Sequence, residues 1–178
     1  MLKRFYPWRY IDSPYRISYE ALRDKGIRGI IFDIDNTLVP HGAPADERAV
    51  ELFDHLRCLG INTCLLSNNK EPRVKSFGDA IGSPYIYKGG KPSKKGYRKA
   101  MELMDSDVDS TILVGDQLFT DVWGANRSGI RSILVKPLDP REEIQIVLKR
   151  IPEKLVLWHY KRSRFHDRLT DREHMGKK

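Results

Sequence analysis

Four short apolar runs, each followed at once by small polar or acidic residues, constrain this chain more than any other feature. Gly29-Ile30-Ile31-Phe32, Ile61-Asn62-Thr63-Cys64-Leu65-Leu66, Thr111-Ile112-Leu113-Val114 and Ser132-Ile133-Leu134-Val135 read as buried strands, with Tyr85-Ile86-Tyr87 a shorter fifth. Between them, Glu47–Leu59 carries Val50, Phe53, Leu56 and Leu59 at helical spacing, and Gly60 stops that helix. Further helices are predicted over 71–80, 94–104 and 118–128, then 139–149, with Pro152 opening another over 153–160. Continuous apolar strands alternating with helices require a parallel sheet covered on both faces and joined by right-handed crossovers. The predicted fold is a doubly wound α/β domain with a three-layer, Rossmann-like parallel sheet.

In such a sheet, ligands bind beyond the carboxyl ends of the strands. The first strand is followed by Asp33-Ile34-Asp35-Asn36-Thr37 and the second by Ser67-Asn68-Asn69. The short strand leads to Lys91-Pro92, and the next run to Gly115-Asp116, with Asp121 close behind. One edge therefore collects the carboxylates of Asp33, Asp35, Asp116 and Asp121, the Ser67 hydroxyl and the Lys91 ammonium. Carboxylates gathered in this way repel one another unless a cation joins them. All-oxygen donors of this kind suit Mg²⁺, which keeps waters and accepts substrate phosphate alongside a few carboxylates. A lysine and a hydroxyl aimed at the same point complete a phosphate cradle. The expectation is a Mg²⁺-assisted phosphoryl-transfer site.

DIDNTL, LLSNN, KGGKP and GDQLFTD, taken together, resemble the four motifs of the haloacid dehalogenase-like (HAD) phosphatases. The resemblance spans roughly residues 27–137 and implies roles residue by residue. Asp33 is the implied nucleophile and a metal ligand, and Asp35 the implied acid and then base, counted with Asp33 among the metal-site carboxylates. Ser67 and Lys91 hold the phosphoryl oxygens, with Thr37, which braces the loop, and Asn68 as further substrate-binding positions. Asp116 ligates Mg²⁺, and Asp121 completes the metal site directly or through water. Many members of that family carry a cap domain after the first motif or between the second and third. Here Asp33 and Ser67 are 34 positions apart and Ser67 and Lys91 are 24 apart, leaving no room for one. The opening Met1-Leu2-Lys3-Arg4-Phe5, the approach Gly26-Ile27-Arg28-Gly29 and the WGAN sequence are similar to YqeG-type bacterial proteins. That capless branch includes the mitochondrial phosphatidylglycerophosphatases, so the implied substrate is phosphatidylglycerophosphate. A soluble or macromolecular phosphate is the alternative.

Charge separates the chain into three parts. The net charge of +8 is concentrated in residues 1–28, with seven basic against three acidic side chains, and 149–178, with ten against four; 29–148 is slightly acidic. Hence the expected organisation is a basic aromatic segment over 1–28, a catalytic domain over 29–150, and a basic helix and tail over 151–178, frayed from Ser163. The ends also carry Trp8, Tyr10, Trp158 and Tyr160. Lys88, Lys94, Lys95, Arg98 and Lys99 add a cationic stretch beside Lys91. Basic and aromatic surfaces suit an anionic phospholipid and peripheral contact with a membrane. They also suit RNA, which keeps open an RNA- or ribosome-associated module with a vestigial site. No apolar run approaches the length of a membrane span, and no signal-peptide pattern opens the chain. Two cysteines, Cys58 and Cys64, provide no disulfide framework; they read as packed small apolar side chains in a reducing, cytoplasmic compartment. The five histidines form no ligand cluster and are assigned no role.

Overall fold

The structure, a computed structural model, describes residues 2–139 and 144–163. Its strands are β1 (Arg9–Ile11), β2 (Gly29–Phe32), β3 (Asn62–Leu66), β4 (Tyr85–Ile86), β5 (Thr111–Gly115) and β6 (Arg131–Val135). The helices are α1 (Tyr19–Asp24), α2 (Glu47–Cys58), α3 (Glu71–Ile81), α4 (Lys94–Met104), α5 (Trp123–Ser128) and α6 (Ile144–Arg162). All six strands are parallel, in the order β1-β6-β5-β2-β3-β4. This is the doubly wound α/β architecture expected from the alternating pattern. The connections from β2 lead outward through β3 to β4, and the chain then returns to place β5 on the other side of β2. The resulting switch point lies between β2 and β5, where an open α/β sheet forms its binding crevice.

Alternation along the strands divides the core. Ile30, Phe32, Ile112 and Val114 face a cluster with Leu52, Phe53 and Leu56 of α2 and Val74 and Phe77 of α3. Ile31, Leu113, Cys64 and Leu66 face the opposite way, onto Tyr97, Ala100 and Met101 of α4. Such a two-sided division follows from the period-two projection of side chains from a strand. The ring of Phe32 lies 5.1 Å from that of Phe53 at 48°, centring the first layer. Caps place the helices: Asp46 Oδ1 accepts from the Ala49 amide at 2.8 Å to start α2, and Gly82, at φ 64°, ends α3.

The structure departs from the sequence expectation at the ends. β1 and α1 arise from the N-terminal segment, and β1 pairs with β6 as an edge strand, Arg9 opposite Ile133. Three half-buried residues are too few to produce an alternation that can be read. Instead of helices over 139–149 and 153–160, one helix, α6, runs through Pro152. Loss of one backbone donor is tolerated because Val156 and Tyr160 anchor the helix in a cluster with Tyr6, Leu118 and Val122. Residues 140–143 of the helix predicted over 139–149, and the predicted fraying over 164–178, lie outside the described residues. Cys64 is buried as expected, whereas Cys58 is exposed, because α2 turns Ala49, Leu52, Phe53 and Leu56 inward and Cys58 away.

Replacing Phe32 by Ala removes the ring joining β2 to α1 and α2. The expected loss is about 3–5 kcal/mol, read from urea unfolding; a change below 1 kcal/mol would mean that the layer is centred elsewhere.

Candidate active site

Asp33 is the first residue beyond β2, and its amide continues the sheet ladder by donating to the Val114 carbonyl at 3.0 Å. The chain then turns tightly. The Ile34 carbonyl accepts from the Thr37 and Leu38 amides, and Asn36 adopts φ 62°, a left-handed conformation that Asn tolerates. This turn returns Thr37 beneath the sheet edge, where its hydroxyl donates to Asp116 Oδ1 at 3.2 Å. The carboxyl ends of β2 and β5 are thereby tied across the switch point.

Lys91 arrives from the loop after β4. Asn68 holds it by the backbone: Lys91 N donates to Asn68 Oδ1 at 2.8 Å, and Asn68 Nδ2 donates to the Lys91 carbonyl at 3.2 Å. The buried ammonium donates to Asp33 Oδ1 and to Asp121 Oδ1, both at 2.7 Å. Burial alone would pull the Lys91 pKa down, but Asp121 and Asp33 outweigh it and hold the ammonium charged. For Asp33, burial is the largest influence and raises its pKa; Lys91 opposes this, Asp121 adds to it, and the result is about 6.

A π-helical turn, Leu118–Val122, carries Asp121. Such turns commonly re-aim side chains at functional sites. Asp121 Oδ2 accepts from the Gln117 amide at 3.0 Å, and the Tyr97 hydroxyl donates to the Thr120 carbonyl at 2.9 Å from below. From outside, the buried Glu153 of α6 accepts from the Leu118 amide at 2.9 Å. Asp33, Asp116 and Asp121 each present a carboxylate oxygen within 4.8 Å of the others, and all three are buried. Three carboxylates against one ammonium, all with hard oxygen donors, fit a divalent cation.

A cavity of about 300 Å³ opens above this group, reached by Asp33, Asp35, Ser67 and Lys91. Ser67 Oγ accepts from the Asn69 amide at 3.1 Å, which leaves its proton available to a ligand. Asp35 also lines the cavity, but its carboxylate is not among the three clustered ones. Oδ1 accepts from the Gly42 amide at 2.8 Å and from Arg73 Nη2 at 3.0 Å, and Oδ2 accepts from Asn69 Nδ2 at 2.8 Å. Burial works to raise the Asp35 pKa, but the Gly42, Arg73 and Asn69 donors outweigh it and hold the carboxyl below its ordinary value. His41, Asn69, Gln117 and Thr120 line the same cavity, and the sequence analysis assigned none of them a role. Gln117 and Thr120 lie inside GDQLFTD and Asn69 inside LLSNN, so their motifs were visible though their contacts were not. His41 and Arg73 carry no such signal.

Residues 89–137, which include Lys91, Asp116 and Asp121, match the family described as HAD-hydrolase-like. The chain is 38% identical over 165 residues to a probable phosphatase, YqeG, of Bacillus subtilis, covering 92% of this chain and 96% of the relative. The chain belongs to the HAD-like phosphatase family. It is accordingly a phosphomonoester hydrolase. It is also 30% identical over 149 residues to phosphatidylglycerophosphate phosphatase 1 of Arabidopsis thaliana, covering 78% of this chain but 41% of that protein. Among solved structures, an uncharacterized protein from Listeria monocytogenes aligns with a TM-score of 0.51 at 20% identity, covering 66% of this chain and 85% of that one. A Vibrio cholerae protein provisionally named a 3-deoxy-D-manno-octulosonate 8-phosphate phosphatase aligns at 0.53 and 14% identity, covering 72% and 78%. These likenesses establish the shared fold.

Asp121 packs so closely on β5 that a Cβ at Gly115 would lie 2.6 Å from its Cγ. Gly115→Ala should therefore push Asp121 out of place and weaken divalent-cation affinity by about tenfold or more. Titration calorimetry with Mn²⁺ measures this, and unchanged affinity would show that Asp121 contributes nothing to holding the ion.

Proposed function

We propose that the chain is a Mg²⁺-dependent phosphomonoesterase working through an aspartyl-phosphate on Asp33, with phosphatidylglycerophosphate as its favoured substrate and phosphatidylglycerol as the product. The observation that carries this reading is the Asp33 carboxylate at the floor of an open cavity, bonded to the buried Lys91 ammonium beside Asp116 and Asp121. Lys91 and Ser67 would donate to the phosphoryl oxygens as charge develops on them. An Asp33 oxygen attacks phosphorus as the bond to the leaving alkoxide breaks, and Asp35 gives that oxygen its proton. Asp35 then takes a proton from the incoming water, whose oxygen displaces Asp33 from phosphorus as inorganic phosphate. Thr37 and Asn68 keep Asp116 and Lys91 in place throughout. Mg²⁺ held by Asp33, Asp116 and Asp121 would supply positive charge against the substrate phosphate and these carboxylates.

The lipid assignment draws on the name of the Arabidopsis relative and on the outer surface of α6. Leu155 and Trp158 are 67% and 57% exposed, and Arg162 stacks 4.7 Å over the Trp158 ring. The only acid between 152 and 163, Glu153, is buried and bonded inward. An exposed tryptophan with a guanidinium over its ring suits the headgroup region of an anionic bilayer. Among the described residues no helix is long and apolar enough to cross a membrane. The reading is thus a cytoplasmic protein in peripheral contact with the inner face of the membrane, through basic ends flanking a catalytic core over 29–150.

Three outcomes test this. Phosphate release from phosphatidylglycerophosphate in mixed micelles should require Mg²⁺, stop with EDTA and resume when Mg²⁺ is restored. Asp33→Asn should lower it by at least about a thousandfold; a variant turning over at wild-type rate would exclude the aspartyl-phosphate. Neutralising Lys161 and Arg162 and replacing Trp158 by Ala should lower the ratio of micelle-borne to soluble turnover, whereas an unaltered ratio would make that surface a bystander.

A further inference from the structure

Asp35 is held at the side of the cavity by three donors, and one of them is a cation. Arg73, the third residue of α3, donates from Nη2 to Asp35 Oδ1 at 3.0 Å. Their side chains are 19% and 12% exposed, so the pair is shielded but reachable from the cavity that Asp35 lines. The guanidinium lies 5.4 Å over the Phe77 ring, which restricts its plane. Among the described residues its buried Nε has no hydrogen-bond partner. Arg73 therefore stands beside Asp35 of the cavity lining, with one donor engaged by that carboxylate and a second, buried donor unused. A guanidinium fork of this kind matches phosphate with two parallel bonds, which a single carboxylate oxygen does not. The cavity of about 300 Å³ also extends past Asp33 and Lys91 to Asn69, which shares Asp35 with Arg73.

We propose that Arg73 is a specificity-determining residue that receives a second anionic phosphate of the substrate, and that this phosphate takes Arg73 from Asp35, leaving Oδ1 with the Gly42 amide alone and open to the leaving oxygen. This rests on the phosphatase reading above and adds to it a substrate class: phosphomonoesters bearing a neighbouring phosphodiester. A monoester without that second anion leaves Arg73 on Asp35 and turns over slowly although it fits beside Asp33. Discrimination then appears in kcat as well as in KM, because the correct substrate completes the catalytic arrangement. Phosphatidylglycerophosphate has this chemistry, and so has its water-soluble deacylated headgroup.

The test compares two soluble monoesters whose phosphate leaves from a glycerol oxygen: glycerol 1-phosphate, and glycerophosphoglycerol phosphate, which adds the phosphodiester and its second glycerol. With Mg²⁺, the wild-type protein should prefer the second in both kcat and kcat/KM. Arg73→Met should lower the ratio of the two kcat/KM values by about tenfold or more, and Arg73→Lys by less, since the charge remains but the fork is lost. Damage to the fold lowers both rates and leaves the ratio alone, so an unaltered ratio, or no wild-type preference, overturns the proposal. Should the Arg73 variants fail to fold, the Asp33→Asn protein should still bind the headgroup about tenfold more tightly than glycerol phosphate in titration calorimetry; equal affinities overturn the proposal. Intact phosphatidylglycerophosphate in micelles separates the two sources of the phosphodiester. An Arg73→Met defect equal to that on the headgroup supports the assignment, and a defect on the lipid alone overturns it. Failure of the phosphatase reading differs from all of these, because the wild type then releases phosphate from neither monoester.

Discussion

The buried contact of one ammonium with two carboxylates, Lys91 with Asp33 and Asp121, is the constraint around which the rest of the site is arranged. Both bonds are 2.7 Å long, and the three side chains are at most 8% exposed. Removing such charges from water costs several kcal/mol per ion unless the geometry and the remaining hydrogen bonds are good. The fold supplies those bonds from three directions: Asn68 fixes the Lys91 backbone, the Gln117 amide takes the second Asp121 oxygen, and Asp33 is locked into the sheet ladder. An arrangement held this way contributes little to stability on balance. Its consequence is positional, since a carboxylate and an ammonium are kept at one point where a phosphoryl group can reach both.

The scaffold around it is built by close approach. Glycine is required at 115 because Asp121 occupies the space of a side chain there, and at 124 because the Tyr97 hydroxyl does the same. Tyr97 is wedged beneath the turn that carries Asp121 and donates to its backbone, so α4 and α5 clamp the turn from within the core. Burial is the largest influence raising the Tyr97 pKa, so the hydroxyl stays a donor. Glu153 secures the same turn from the outer side. The C-terminal helix thus joins the active site to the surface: its inner face holds the Leu118 amide, and its outer face presents Leu155 and Trp158.

How much of this was legible in the sequence depended on whether the cause was local. The strands announced themselves because Ile30-Ile31-Phe32 and Ile112-Leu113-Val114 are buried on both faces and leave no polar alternation to confuse them. Asp33, Ser67, Lys91, Asp116 and Asp121 were legible because each follows a strand and the topology brings strand ends together. β1 was not, since Arg9-Tyr10-Ile11 has one neighbour, β6, to define it. Nor was the continuity of α6 through Pro152, which depends on Val156 and Tyr160 docking on Tyr6, far away in the chain. The orientation of Asp35 was beyond reach for a similar reason. Two residues from Asp33, it would share a face in a strand, but the chain has left the strand, and its partners Gly42, Asn69 and Arg73 come from farther along its own loop, from another loop and from a helix.

Those partners set an unusual electrostatic balance. Two carboxylates two residues apart are pushed in opposite directions: Asp33 upward by burial, Asp35 downward by Gly42, Arg73 and Asn69 against its own burial. Separation of this kind ordinarily marks an acid and a base. Of the two, Asp33 is the nearer to carrying a proton and Asp35 the more firmly ionised. A divalent cation among Asp33, Asp116 and Asp121 would draw Asp33 back toward the anion. A phosphate that drew Arg73 away would let Asp35 rise toward the protonated form. Both changes would come from what enters the cavity, so the proposed chemistry would wait until the right charges are present.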